Sequence, residues 1–172
     1  MGAQVDTDGK NRITEINFTG TRITDSVLQK IDLVNSKGLT HVTDLSLANV
    51  VRGKGITDAG LKFLAKLPSL ECLDVCQTHI TGRGLTHISR PDKLRELDLS
   101  YSQLTDASIV HLEKFSNLRD LDLTGTGITD GAIRVLKGLK RLERLCVIET
   151  KITENGAKKL EAALPNTEIL HW

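Results

Sequence analysis

No apolar run in these 172 residues approaches the roughly 20 that a bilayer span requires. The polar start, MGAQVDTDGKN, offers no apolar core for a secretory signal, so a cytoplasmic location is expected. An excess of one charge is lacking too. Lys plus Arg total 23 against 22 Asp plus Glu, a net +1, which argues against nucleic acid as a partner. Cysteine is sparse and odd in number: Cys72, Cys76 and Cys146 read as free thiols in a chain without an export signal. On one strand the first two would stand roughly 13 Å apart, too far to bridge or to share a metal. Catalytic patterns are also missing. The chain has no HExxH, nucleophile elbow or complete phosphate loop, and His87 and His111 fall at equivalent helical positions. No enzyme activity, cofactor or metal is expected.

What the chain does contain is one phrase repeated. Units begin at Ile56, Ile80, Leu104, Ile128 and Ile152, so five copies share one 24-residue register. Leucines at L-x-x-L-x-L spacing within a period of 20 to 29 residues indicate a leucine-rich-repeat solenoid. Positions 73, 97, 121 and 145 are Leu and 169 is Ile, while 75, 99, 123 and 147 are Val, Leu, Leu and Val. Because a strand alternates its faces, both columns point inward together.

Other columns read as structure. Thr78, Ser102, Thr126 and Thr150 form a hydroxyl row where the chain leaves each strand. Thr57-Asp58, Thr105-Asp106 and Thr129-Asp130 precede short helices and are expected to accept from free helix-start amides. Gly60, Gly84, Ser108, Ala132 and Gly156 share a column whose smallness implies close packing. Pro68 and Pro91 mark helix ends.

The unit from Ile23 to Ile56 is longer, with a helix expected to bury Val27, Leu28 and Ile31, extra length at 32–38, and an insertion around 51–55. That insertion is a candidate loop for binding. Residues 1–11 are expected to be a flexible lead-in and 12–172 a single domain of about six strands. A one-residue insertion before Leu164 would align Leu170 with Leu73 and Trp172 with Val75, so Trp172 would lie near the C-terminal cap and cover the last core layer.

The stretches GTRITD, GKGITDAGLKFLAKLPSLECLDVCQTHIT, LRELDLSYSQLTD, LRDLDLTGTGITDGA and LPNTEILHW resemble leucine-rich-repeat proteins of planctomycete-type bacteria. More distantly, they are similar to the cysteine-containing repeats of F-box substrate receptors. The units are 24 residues long and carry Thr or Ser at the turn column, with no F-box region before the repeats. The resemblance implies an α/β right-handed horseshoe, with a parallel sheet on the concave face and short helices on the convex face. It also implies protein binding, and a substrate-receptor role if the F-box likeness extends to function.

If Leu73 and Val75 face inward, their neighbours face out. The outward set then contains Glu15, Asp44, Asp74, Glu96, Asp98, Asp120, Asp122 and Arg144 as candidate partner-binding residues, seven acidic and one basic. Asp74, Asp98 and Asp122 should form a direct ladder with neighbours about 4.8 Å apart. Such spacing raises carboxylate pKa values or attracts cations. The same row could simply keep the sheet soluble. A divalent cation is a third reading, though parallel side chains on a flat sheet do not enclose one. The expected function is a noncatalytic scaffold for an unidentified protein or basic peptide. The alternative is a structural segment of a larger protein.

Overall fold

Most repeats combine a three-residue strand, too short to be stable alone, with a short helical segment, so packing against neighbouring repeats must hold both. The structure, a computed structural model, describes residues 3–34, 36–48 and 55–172. Its strands are β1 (Gln4–Thr7), β2 (Ile13–Asn17), β3 (Asp44–Ser46), β4 (Cys72–Asp74), β5 (Glu96–Asp98), β6 (Asp120–Asp122), β7 (Arg144–Cys146) and β8 (Glu168–Leu170). They form one sheet in sequential order, parallel from β2 to β8. The α-helices are α1 (Asp25–Val34), α2 (Ile133–Leu136) and α3 (Glu154–Ala163), with 3₁₀ helices serving the other units, including Gly60–Lys66 and Arg83–His87. This is the leucine-rich-repeat solenoid that the period implies. No helix among the described residues is long and apolar enough to cross a membrane.

The core is the expected pair of strand columns completed from the helical side. Leu73, Leu97, Leu121 and Leu145 are buried, as are Val75, Leu99, Leu123 and Val147. Leu61, Leu64, Leu67, Ile109, Leu112 and Phe115 close the core from the other side. In the hydroxyl row Thr78, Thr126 and Thr150 each donate to the carbonyl three residues earlier, at 2.7 Å. Ser102 departs from the row, since its buried hydroxyl has no partner.

Five expectations need correction. Residues 1–11 are more than a flexible lead-in, because β1 pairs antiparallel with β2, from Gln4 opposite Asn17 to Thr7 opposite Ile13. This hairpin covers a parallel edge that would otherwise leave its backbone groups to water. With β1 and β8 the sheet has eight strands rather than about six. The last strand needs no shift of register, since Ile169 pairs with Leu145 and Leu170 with Cys146. Trp172 does not cover the core: it stands 73 % exposed, its ring edge-on to His171 at 4.1 Å between centroids. In α1, Leu28 is buried and Ile31 partly so, but Val27 faces solvent. The 51–54 part of the candidate loop, with Val50 and Val51, lies outside the described residues.

Candidate functional site

The concave face carries two outward columns per strand. The first runs Glu15, Asp44, Cys72, Glu96, Asp120, Arg144, Glu168, and the second runs Asn17, Ser46, Asp74, Asp98, Asp122, Cys146, Leu170. The expected Asp74–Asp98–Asp122 ladder is therefore present in exact strand register. A shallow groove of about 240 Å³ lies along it, lined by Asp74, Glu96, Asp98, Asp120, Asp122 and Arg144 together with Cys72, Leu73 and Leu97. Six of the eight candidate residues thus meet in one place. Glu15 and Asp44 belong to the same face but lie outside the groove, nearer β1.

Each ladder carboxylate also holds its own backbone. Asp74, Asp98 and Asp122 accept through Oδ1 from the amides of Cys76, Ser100 and Thr124, two residues on, at 3.0, 2.8 and 2.8 Å. Asn17 and Ser46 do the same for Thr19 and Ala48. These bonds pay the backbone cost of leaving a strand. Asp74 further accepts from the Ser46 hydroxyl through Oδ2 at 2.9 Å. Among the described residues no Lys or Arg pairs with Asp74, Asp98 or Asp122, whereas Asp120 is paired with Arg144 at 2.8 Å.

The electrostatic consequence appears at the middle of the ladder. Asp98 is pushed above the ordinary carboxylate value by burial first, and by Asp122 and Asp74 on either side, against the lowering effect of its bonds to Ser100. The thiols respond to the same field. Cys72 is pushed up to about 12 by burial and by Asp44 and Glu96, and Cys76 to about 12 by burial and by Asp74 and Asp98. Both are therefore protonated, and slow to react, at neutral pH. Cys146, Ser100 and Ala48, which strand alternation would turn outward, are buried, and Cys146 Sγ lies 3.1 Å from the Thr124 hydroxyl.

One oxygen or sulfur from each of Asp74, Cys76 and Asp98 lies within 4.8 Å of the other two, so the donors closest to a metal-binding arrangement differ from the expected aspartate triad. All three are half-buried. Both carboxylates are committed to strand turns and the thiol is protonated, so binding an ion would require releasing that proton.

A further row beside the ladder escaped sequence reasoning. Gln77, Tyr101 and Glu149 share positive φ values of 54, 54 and 56°, and Gly125, between the last two, has φ 66°. The only sequence signal is the 24-residue spacing itself. Tyr101 is about half exposed and donates its hydroxyl to Glu149 Oε2 at 3.2 Å. That bond raises the phenol pKa, with the Asp122 charge acting in the same direction.

On the helical side, a second carboxylate column does different work. Asp25, Asp58, Asp106 and Asp130 each reach across to the next unit and accept from both the amide and the hydroxyl of Thr57, Thr81, Thr129 and Thr153. The expected capping of each helix by its own Asp is replaced by this bridge, while the threonines do cap locally: Thr57, Thr129 and Thr153 accept from Ala59, Gly131 and Gly156. The small-residue column follows from the bridge. A Cβ on Gly84 would lie 2.8 Å from Leu61 Cβ and 2.9 Å from Asp58 Cα, and the Gly84 amide donates to Asp58 at 2.8 Å. Position 82 is Gly where the period calls for Asp, and there the Thr105 amide turns to Ser108 Oγ instead, at 3.2 Å.

The Leucine Rich repeat family matches residues 92–112 and 116–136, the units carrying Asp98 and Asp122. No curated protein sequence matches the chain. The fold is similar to that of a leucine-rich-repeat protein from Leptospira interrogans, with TM-score 0.60 and 20 % identity over 91 % of this chain and 36 % of that one. It is similar to internalin C2 from Listeria monocytogenes, with TM-score 0.65 and 26 % identity over 92 % of this chain and 70 % of that one. Internalin F from the same organism gives TM-score 0.60 and 25 % identity over 77 % of this chain and 35 % of that one. The chain thus spans about a third of the length of two of these proteins. Solenoids of this type generally present their concave surface as a noncatalytic scaffold for other proteins. The matched repeats and the continuous parallel sheet together show a leucine-rich-repeat fold, similar to that of these bacterial proteins.

Proposed function

We propose that the concave groove binds a basic segment of another protein, with Asp74, Asp98 and Asp122 as its central contacts and Glu96 and Asp120 beside them. The observation that supports this reading is the in-register ladder whose three carboxylates, among the described residues, form no ion pair with Lys or Arg, Arg144 acting on Asp122 only at longer range. Neighbouring unit charges at strand spacing repel by about 1 kcal/mol at the dielectric of water, and by more where solvent is displaced. A row of Lys or Arg side chains converts that repulsion into attraction, steers encounter and excludes acidic competitors. The half-burial that raises the Asp98 pKa also means that a cation there interacts through less water.

The turn hydrogen bonds favour a second reading. Because Asp74, Asp98 and Asp122 each hold a strand end, the same row would serve a segment of a longer solenoid that binds nothing by itself. The two readings separate on titration of a synthetic lysine-rich peptide at low and at physiological ionic strength. The native chain is compared with a folded Asp74→Lys, Asp98→Lys, Asp122→Lys variant. Binding that weakens with salt and disappears on charge reversal supports the groove. Absence of binding to the native chain, or equal binding to both, removes it in favour of the structural reading.

A further inference from the structure

Among the described residues, the exposed large apolar side chains are Val5, Val27, Tyr101, Val110 and Trp172. Tyr101 is the one beside the carboxylate ladder: its own amide donates to Thr124 of the next unit, and it follows β5 by three residues. Its ring runs along the direction of the ladder. It passes over Gly125, where an added Cβ would lie 2.4 Å from the ring, and its hydroxyl reaches Glu149 two units away, a span of about 10 Å in strand spacings. Glycine at 125 is therefore required for the space the ring occupies, whereas Gln77, Tyr101 and Glu149 hold the same left-handed backbone with a side chain. The result is an aromatic surface held in place at its far end by a carboxylate, open to solvent over about half its area, with Asp122 close enough for its charge to act on the phenol.

We propose that this corner is a subsite for arginine in the bound basic segment, with the guanidinium lying on the open Tyr101 ring and donating to the Asp122 and Glu149 carboxylates. The inference rests on the reading of the concave face as a basic-segment groove. Arginine fits these groups better than lysine for two reasons. Its planar cation stacks on an aromatic face, and its fixed fork of donors serves two acceptors at once. An ammonium is a compact, strongly hydrated point charge that gains from the carboxylates but makes less use of the ring.

The test compares two synthetic peptides of equal length and charge, one carrying only arginine and the other only lysine as its basic residues. The native chain should bind the arginine peptide roughly threefold to tenfold more tightly. Tyr101→Leu should remove most of that preference by weakening the arginine peptide more than the lysine peptide, and Tyr101→Phe, which keeps the ring, should retain it. Glu149→Gln, an exposed substitution, supplies an independent reading and should also reduce the preference. Circular dichroism and melting confirm that each variant is folded. Equal affinity of the native chain for the two peptides overturns the arginine subsite while leaving the groove standing, as does an unchanged preference in folded Tyr101→Leu. Failure of both peptides to bind overturns the subsite and the groove together.

Discussion

Two columns of aspartate follow the repeats on opposite sides of the sheet, yet they do different work. On the helical side, Asp25, Asp58, Asp106 and Asp130 spend both carboxylate oxygens on the amide and hydroxyl of a threonine in the next unit. On the concave side, Asp98 and Asp122 use Oδ1 for a turn within their own unit and, among the described residues, form no ion pair with Lys or Arg. A repeated carboxylate is therefore structural when the neighbouring unit brings it donors. It is available to a ligand when the neighbouring unit brings it another carboxylate.

The most damaging way to break this comparison is to remove a bridging carboxylate. Asp106→Ala leaves the Thr129 amide and hydroxyl without their partner and should destabilise the chain by about 1–3 kcal/mol in urea unfolding. A smaller but chemically distinct effect belongs to the thiols in the concave field. With Cys72 and Cys76 pushed up to about 12 from 9.0, their alkylation near neutral pH should be roughly thirtyfold slower than that of an ordinary thiol. The thiolate population falls about a thousandfold, and the greater nucleophilicity of the remaining thiolate recovers part of the loss. Mass-spectrometric labelling rates check this, and Asp74→Asn should speed labelling of Cys76.

The pH dependence sharpens the contrast because the two columns run in opposite directions. The folded pKa of Asp98 lies above its ordinary 3.8, so its contribution favours folding most when protonated and declines as pH rises through the raised folded value. The folded pKa of Asp130 is depressed, chiefly by the Thr153 amide, so its stabilisation is present above 3.8 and is lost as pH falls through the depressed value. Urea midpoints of Asp98→Asn and Asp130→Asn, each followed against the native chain across the acid range, should therefore diverge with opposite sign. The smallest effect is expected for Asp98→Asn near neutral pH. Asn keeps the turn acceptor and removes the repulsion, so stability should change by no more than about 0.5 kcal/mol, or rise.

How far these columns can be read before folding depends on which contacts the period itself encodes. The strand register follows directly from adding 24, which brings Asp74, Asp98 and Asp122 together and identifies the groove. The Asp–Thr bridge was hidden because Asp106 and Thr129 are 23 residues apart, whereas Asp106 is also next to a helix start where an acidic residue has a local explanation. The N-terminal strand was hidden because Gln4–Thr7 is exposed on every side chain and shows no apolar alternation. Trp172 invited a packing role by its size, but the register of β8 carries it past the core. Tyr101 gave no warning, since its role depends on a left-handed backbone and on a glycine one repeat away.

The most direct measurement of the central claim is the affinity of a folded Asp98→Asn, Asp122→Asn chain for a basic peptide at low ionic strength, relative to the native chain. The account predicts binding weaker by about tenfold with thermal stability unchanged or raised. Equal affinity in the two chains would contradict it and leave the concave ladder, like the helical one, a structural feature of the repeat.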